Sequence, residues 1–130
     1  MGIQGVHIAL TVGDLSVSGP WYQKLFEGQK IFEGPDEVSE VEIYMIPDNV
    51  LLGLRQHSGT PAGDSFSFER CGLDHFAMHL ENTADLDRWK SKLDDEGIDH
   101  SGIVESPFGH HLNFKDPDGI ALEFFVPAPQ

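Results

Sequence analysis

Cysteine and long apolar runs are nearly absent from this chain of 130 residues. The single cysteine, Cys71, has no second thiol to pair with, which excludes an intrachain disulfide and fits a reducing compartment. A membrane-spanning helix needs about 20 consecutive apolar residues, and no such run occurs. The first residues also lack the basic segment and apolar stretch of a signal peptide. We therefore expect a cytoplasmic protein.

Basic side chains are scarce as well. The chain has 8 Lys and Arg against 22 Asp and Glu, for a formal net charge of −14. Such a surface repels phosphate backbones and anionic lipids, so we expect neither a nucleic-acid partner nor a membrane partner. Hydrophobic residues make up 39%, enough for a packed core in one domain or in two small ones. The seven histidines are candidate metal ligands, because His is the commonest metal ligand in proteins.

An internal repeat organises the chain. The segment 6–12 reads x-His-φ-Ala-φ-x-φ, where φ is apolar, and the segment 74–80 has the same pattern. The offset, from His7 to His75, is 68 positions, and it also places Trp21 on Trp89. Leu52-Gly53-Leu54 matches Leu122-Glu123-Phe124 at an offset of 70. The repeat predicts two modules, at 1–57 and 72–130, joined by a Gly-, Ser- and Pro-containing connector at 58–71.

Each module has the periodicity of a strand, a helix and three further strands, the order βαβββ, which predicts an α+β fold. In the first module we expect a helix at 16–27 and strands near 5–12, 29–33, 40–46 and 50–57. In the second we expect a helix at 83–96 and strands near 73–80, 101–104, 110–115 and 119–126.

The helix ends and one turn have recognisable signals. Ser16 or Ser18 would cap the first helix, with Pro20 in its first turn, where proline is tolerated. Thr83 would cap the second helix and Gly97 would end it. Asp116-Pro117-Asp118-Gly119 predicts a tight turn that joins the last two strands as a hairpin.

Strand alternation separates apolar side chains from potential ligands. His7 and Ala9 share one face of the first strand, His75 and Ala77 share the matching face in the second module, and Glu123 lies between two apolar neighbours. A lone His in a strand is more often packed than bound to metal, but packing gives no reason for His at both repeat positions. A carboxylate in an apolar strand needs a partner, which is either a metal or a basic group such as Arg55.

These motifs carry a resemblance to a known family. The His-φ-Ala-φ opening strands, the Trp-Tyr-Gln-Lys-Leu-Phe helix and the closing segment 116–124 resemble the vicinal oxygen chelate superfamily, and the resemblance covers almost the whole chain. Its members include glyoxalase I, fosfomycin-resistance thiol transferases, extradiol dioxygenases and bleomycin-resistance proteins. The resemblance implies paired βαβββ modules in a cupped, incompletely closed barrel, and a homodimer.

The resemblance also implies a metal site, with ligands on the first and fourth strands of each module. Mapped onto this sequence, those positions are His7, Gly53, His75 and Glu123. Gly53 has no donor side chain, which counts against glyoxalase I activity. His7, His75 and Glu123 would hold one divalent ion (Fe, Mn, Ni, Co or Zn) and leave coordination positions open for substrate or dioxygen.

Further side chains are expected near the metal. Arg55 would bind an anionic oxygen or pair with Glu123, His79 would act as a general base or orient a ligand, and Asn113 would hydrogen-bond the substrate. His57, His110 and His111 have no assigned role, and the last two cannot both face inward because they are adjacent in a strand.

Two functions from different classes follow. The first is a divalent-metal-dependent enzyme that acts on a small organic substrate through metal-coordinated oxygen atoms, as a lyase or isomerase, a dioxygenase or a thiol transferase. The alternative is a binding protein that sequesters a drug or metabolite without catalysis, as bleomycin-resistance proteins do. The net charge of −14 suits a cationic ligand, whereas the three potential metal ligands favour the enzyme.

Overall fold

The computed structural model describes residues 1–47 and 50–129. The chain divides into two compact units, Met1–Asp64 and Ser65–Gln130, and their boundary falls inside the segment 58–71 that we expected to be a connector. Each unit consists of one helix and one open four-stranded sheet in the order βαβββ. The expected α+β fold with two βαβββ modules is confirmed.

The two units have the same strand order. The elements of the first unit are β1 (Ile8–Thr11), α1 (Leu15–Phe26), β2 (Gln29–Pro35), β3 (Ser39–Ile46) and β4 (Val50–His57), with sheet order β1-β4-β3-β2. Those of the second unit are β5 (Phe76–His79), α2 (Thr83–Asp95), β6 (His100–Ser106), β7 (Gly109–Lys115) and β8 (Ala121–Pro127), with sheet order β5-β8-β7-β6. In each unit the first strand runs parallel to the last, and the other pairs are antiparallel.

Strand register confirms the internal repeat. Ala9 of β1 lies opposite Gly53 of β4, and Ala77 of β5 lies opposite Glu123 of β8. Gly53 and Glu123 therefore occupy equivalent positions, as the 70-residue offset predicted.

One face of each sheet packs against its helix and forms the core. In the first unit the buried side chains include Tyr22, Leu25, Leu52 and Leu54. In the second unit Leu86 and Leu93 of α2 are buried, and the Trp89 ring stacks on Phe124 at a centroid distance of 4.3 Å. Full burial of such a side chain contributes about 1.5–3 kcal/mol. No helix within residues 1–47 and 50–129 has both the length and the apolarity needed to cross a membrane.

The N-terminus of α1 differs from the prediction. Asp14, not Ser16 or Ser18, is the N-cap, and its Oδ1 accepts hydrogen bonds from the Ser16 backbone N–H at 2.9 Å and the Ser16 hydroxyl at 2.7 Å. A carboxylate is favoured here because the helix N-terminus carries partial positive charge. Since α1 begins at Leu15, Pro20 lies beyond the first turn, so its predicted placement was wrong. The helix nevertheless continues to Phe26.

The N-cap of α2 is one residue earlier than predicted. Asn82, not Thr83, accepts the Asp85 backbone N–H at 2.9 Å. The predicted stop is confirmed, because Gly97 has a left-handed φ of 70° and the chain turns back so that the Ile98 N–H donates to the Leu93 carbonyl at 2.9 Å.

The first strand of each unit is shorter than predicted. Pairing begins at Ile8 opposite Leu52 and at Phe76 opposite Leu122, so His7 and His75 lie one residue before β1 and β5 instead of within them. The pattern x-His-φ-Ala could not show this, because the length of the pairing depends on the partner strand. For His75, a local hydrogen bond to Asp74 orients the imidazole instead of the sheet ladder.

The turn 116–119 sets the position of β8. Asp116 Oδ1 accepts the backbone N–H groups of Asp118 and Ile120, each at 2.8 Å, and Gly119 has the left-handed φ of 81° that the turn requires. The predicted hairpin is therefore confirmed, and it brings Asn113 of β7 opposite Glu123 of β8.

We predict that Asp116→Ala lowers the free energy of unfolding by about 1–3 kcal/mol, because it leaves backbone donors without their acceptor. Asp116 is 6% exposed, so water replaces the lost acceptor poorly. Urea unfolding followed by circular dichroism measures the effect. Asp116→Asn is the matched control, since its amide oxygen still accepts hydrogen bonds. Its free energy of unfolding should fall by clearly less than that of Asp116→Ala. Equal stability of the Ala variant and the parent would contradict this account of the turn.

Candidate active site in the second unit

A polar face lies on the side of the second sheet opposite α2. Phe124 packs under α2, so by alternation its neighbours Glu123 and Phe125 point to the other side. Register adds the facing residues of β5 and β7 to the same surface. We call this surface the β5–β8–β7 face, and its members are His75, Ala77, His79, His111, Asn113, Glu123 and Phe125.

Glu123 is the most constrained side chain of this face. Its side chain is only 12% exposed and lies between the buried Leu122 and Phe124. Its Oε1 is 2.9 Å from His111 Nδ1, and its Oε2 is 3.6 Å from His75 Nε2. Two imidazoles therefore surround the carboxylate that the sequence identified as needing a partner.

The orientation of His75 is fixed by its sequence neighbour. His75 Nδ1 lies 2.6 Å from Asp74 Oδ1, and because a carboxylate only accepts, Nδ1 must carry the proton. In the neutral imidazole, Nε2 is then an acceptor that faces another acceptor, Glu123 Oε2. The separation of 3.6 Å is too long for a hydrogen bond. In the neutral ring with the proton on Nδ1, the lone pairs of Nε2 and Oε2 therefore face each other.

His75 Nε2 and Glu123 Oε2, as electron-pair donors, fit a divalent cation. An ion about 2.0–2.2 Å from each donor requires the two donors to be no more than about 4.2 Å apart. The 3.6 Å between His75 Nε2 and Glu123 Oε2 satisfies that limit. Imidazole nitrogen and carboxylate oxygen are both ligands of Fe, Mn, Ni, Co and Zn.

The equivalent positions of the first unit are His7 and Gly53. His7 is exposed and directly precedes β1. A Cβ added at Gly53 would lie 3.3 Å from the Ala9 Cβ, so this position lacks a donor and has little spare room. Within residues 1–47 and 50–129, no three His, Cys, Asp or Glu side chains form a group that could hold a metal. The set of His7, His75 and Glu123 therefore stays a prediction.

Arg55 is engaged within the first unit. Its Nη1 contacts the Asp36 carboxylate and lies 3.2 Å from the Ser39 hydroxyl. Asp36 also accepts the backbone N–H groups of Val38 at 2.8 Å and Ser39 at 2.7 Å, which closes the turn between β2 and β3. The Val38 hydrogen bond, with those from Ser39 and Arg55, holds the pKa of the Asp36 carboxyl well below its usual range.

The remaining candidates have distinct locations. His79 ends β5, is exposed, and meets the Phe125 ring edge-on at a centroid distance of 5.0 Å. Asn113 is exposed and lies opposite Glu123 in the register of β7 with β8. His57 ends β4 opposite Ser39, and His110 points to the opposite side of β7 from His111.

Three residues next to Glu123 and His75 had no role in the sequence analysis: Asp74, Ser106 and His111. Asp74 had a signal, since an acidic residue directly before a candidate ligand can orient it. The Ser106 hydroxyl contacts His111 Nε2 at 2.7 Å, and His111 of β7 reaches Glu123 diagonally on the adjacent strand β8. Those two contacts depend on strand register and side-chain rotamer, so no local sequence pattern predicts them.

A family model for the Glyoxalase/Bleomycin resistance protein/Dioxygenase superfamily matches residues 5–124. The chain belongs to this family, which is the vicinal oxygen chelate superfamily. A glyoxylase/bleomycin resistance protein/dioxygenase domain from Frankia sp. EAN1pec is 33% identical, with a TM-score of 0.89, and the match covers 98% of this chain and 100% of that one.

Two further relatives are more distant. The fosfomycin resistance protein FosX from Listeria monocytogenes shares the fold, with a TM-score of 0.74, 18% identity, and coverage of 98% and 96%. It has also been solved in complex with Mn(II) and a sulfate ion. MhqA of Bacillus subtilis (strain 168), named as a candidate ring-cleaving dioxygenase, is 28% identical over 99 residues, which are 76% of this chain. The match spans only 28% of MhqA.

We predict that Asp36→Asn destabilises the first unit at neutral pH and not in strong acid. The folded-state pKa of Asp36 lies below its ordinary value of 3.8, so the charged form stabilises the fold above that value. The stabilisation by the charged Asp36 carboxylate shrinks as the pH falls below 3.8, and it is lost as the pH passes through the lowered pKa of Asp36. Urea unfolding of parent and variant at a series of pH values measures the difference.

Asp99→Asn is the control for this series, because Asp99 is an exposed carboxylate that lies outside the turn between β2 and β3. It should leave the unfolding free energy unchanged at every pH. A difference between parent and Asp36→Asn that persists undiminished in strong acid would contradict the charge-based explanation.

Proposed function

We propose that this chain is one subunit of a homodimeric, divalent-metal-dependent enzyme of the glyoxalase/dioxygenase type. It would act on a small organic substrate through oxygen atoms at the metal, with His7, His75 and Glu123 as the ligands. The observation that carries the proposal is the placement of His75 Nε2 3.6 Å from Glu123 Oε2, with Nδ1 of the same ring 2.6 Å from the Asp74 carboxylate.

The neighbours of this pair support metal binding over a structural role. The Asp74 carboxylate accepts a hydrogen bond from His75 Nδ1, which in the neutral ring leaves Nε2 as an acceptor toward Glu123. The separation of 3.6 Å between Nε2 and Oε2 is longer than a hydrogen bond. A carboxylate that orients a ligating imidazole in this way is a recurrent feature of metal sites. The Mn(II) bound by FosX, which shares this fold, also supports the proposal.

When bound, the ion would supply Lewis-acid stabilisation of negative charge on substrate oxygens. The chain's own groups would orient the substrate. The Asn113 side chain, opposite Glu123, would hydrogen-bond a substrate oxygen, and the His79 imidazole would accept or donate a proton at the edge of the same face. Phe125, between His79 and His111, would provide an apolar wall that limits water.

Arg55 has a different role in this proposal. Because its guanidinium contacts Asp36 and Ser39, we assign it to the turn between β2 and β3 instead of to the substrate. Glu123 correspondingly has His75 and His111 as its neighbours in the second unit.

Among the reaction classes, oxidative ring cleavage is the first to test, because the match to MhqA extends over 99 residues. Two His and one carboxylate with open positions is the ligand set of non-heme Fe(II) oxygenases. Oxygen uptake by the Fe(II)-loaded protein with dihydroxylated benzenes would support this class. No uptake, with turnover of another substrate by the Mn(II)- or Zn(II)-loaded protein, would favour the lyase, isomerase or transferase classes.

We predict about one divalent ion per chain in the parent after loading and dialysis, and none in His75→Ala or Glu123→Ala. The test ions are Fe(II), Mn(II), Ni(II), Co(II) and Zn(II), and elemental analysis measures the content. His7→Ala should also lose the ion. Asp74→Asn should weaken binding about 10–100-fold, because it removes the partner of His75 Nδ1.

His110→Ala is the matched control, since His110 lies on β7 but points away from Glu123. It should keep the full metal content. A parent that holds no ion under any of these conditions would overturn the proposal. In that case, ligand binding without metal would point to sequestration of a drug or metabolite.

Mixing two defective variants tests whether each site is shared between two chains. His7→Ala and Glu123→Ala are unfolded together and refolded as an equal mixture. If His7 of one subunit joins His75 and Glu123 of the other in a symmetric dimer, about one quarter of the sites in a random mixture regain all ligands. Metal content of the mixture measures this. If it stays at the level of the separate variants, each site is built within one chain.

A further inference from the structure

A directed chain of hydrogen bonds ends on Glu123 from the side opposite His75. The Ser106 hydroxyl lies 2.7 Å from His111 Nε2, and His111 Nδ1 lies 2.9 Å from Glu123 Oε1. The two carboxylate oxygens therefore have different neighbours. Oε1 faces His111, and Oε2 faces His75.

The donors and acceptors of this chain can be assigned. Glu123 only accepts, so His111 Nδ1 carries a proton and, in the neutral ring, Nε2 accepts from the Ser106 hydroxyl. Ser106 Oγ in turn accepts the Phe108 backbone N–H at 3.2 Å. The other acceptor near this hydroxyl, the Gly109 carbonyl, is more distant at 3.4 Å. The chain thus runs from Phe108 N–H through Ser106 and His111 to Glu123.

The surrounding structure holds this series of hydrogen bonds in place. The His111 side chain is 20% exposed, and its ring packs against Phe125 at a centroid distance of 4.8 Å. Ser106 and Gly109 close the turn between β6 and β7. Gly109 has a φ of 147°, and a Cβ at this position would come within 2.0 Å of the Val126 carbonyl oxygen. The turn therefore lies directly against β8, the strand that carries Glu123.

We propose that His111 and Ser106 are positioning residues that fix the Glu123 carboxylate for metal binding, an inference that rests on the metal site of the proposed function. By engaging Oε1, they prevent rotation of the carboxylate and direct Oε2 toward the ion held with His75. A carboxylate without this support would spread over several rotamers, and ordering it on binding would reduce the affinity.

Four variants distinguish the hydrogen bonds that hold the Glu123 carboxylate from the packing of the His111 ring. His111→Phe keeps a ring against Phe125 but removes both nitrogens, and His111→Asn keeps a donor near the position of Nδ1. Ser106→Ala removes the partner of Nε2 alone, and His110→Phe is the control on the other face of β7. Circular dichroism and thermal unfolding show whether each variant is folded.

The measurement is the dissociation constant for Mn(II) or Zn(II) alone, by competition with a chelating dye. We expect His111→Phe to bind about 10–100-fold more weakly, Ser106→Ala to show a smaller loss, and His111→Asn to recover most of the parent affinity. His110→Phe should match the parent. In the metal-free parent, long-range proton–nitrogen NMR should show His111 with its proton on Nδ1, and Ser106→Ala should alter that spectrum.

The outcomes distinguish the two proposals. A parent that binds no metal overturns both. A parent that binds metal as tightly as a folded His111→Phe variant overturns the positioning role alone and leaves the metal site standing. Covalent labelling of Ser106 by a fluorophosphonate would also overturn the positioning role, because Ser106 would then be a nucleophile activated by His111.

Discussion

The burial of one carboxylate constrains the architecture of the second unit. Glu123 lies in an otherwise apolar strand with 12% of its side chain exposed, and a charge in such a place must be compensated by nearby groups. The compensation comes from both flanking strands, His75 just before β5 and His111 from β7. The strand register and the Asp116 turn bring those imidazoles to the two oxygens of the same carboxylate.

The features predicted from the sequence were those encoded by periodicity. The repeat, the βαβββ order, the alternation that isolates Glu123 and the turn at Asp116 all follow from local patterns, and the structure confirms them. The caps Asp14 and Asn82 were missed because several polar residues precede each helix, and only the backbone geometry selects one of them. The contact of His111 with Glu123 was missed because it requires knowledge of the rotamer and of the register of β7 against β8.

The two modules have the same fold but different chemistry at equivalent positions. Where the second unit has Asp74 before His75, the first has the exposed Val6 before His7. Where the second has Glu123, the first has Gly53 against Ala9. The carboxylates of Asp74 and Glu123 are thus both in contact with His75 in the second unit. In the first unit, the carboxylate of Asp36 instead closes a turn. A duplicated fold can therefore keep its strand order while its two copies diverge at equivalent positions.

The parallel pairing of β5 with β8 has a consequence for the order in which the protein folds. His75 and Glu123 come from the two ends of their module, and β8 cannot pair with β5 until the intervening helix and hairpin have been synthesised. Closing so long a loop is entropically costly and belongs late in folding. On the ribosome, a nascent chain that has exposed His75 still lacks Glu123, so its imidazole remains without that carboxylate neighbour until β8 has been made.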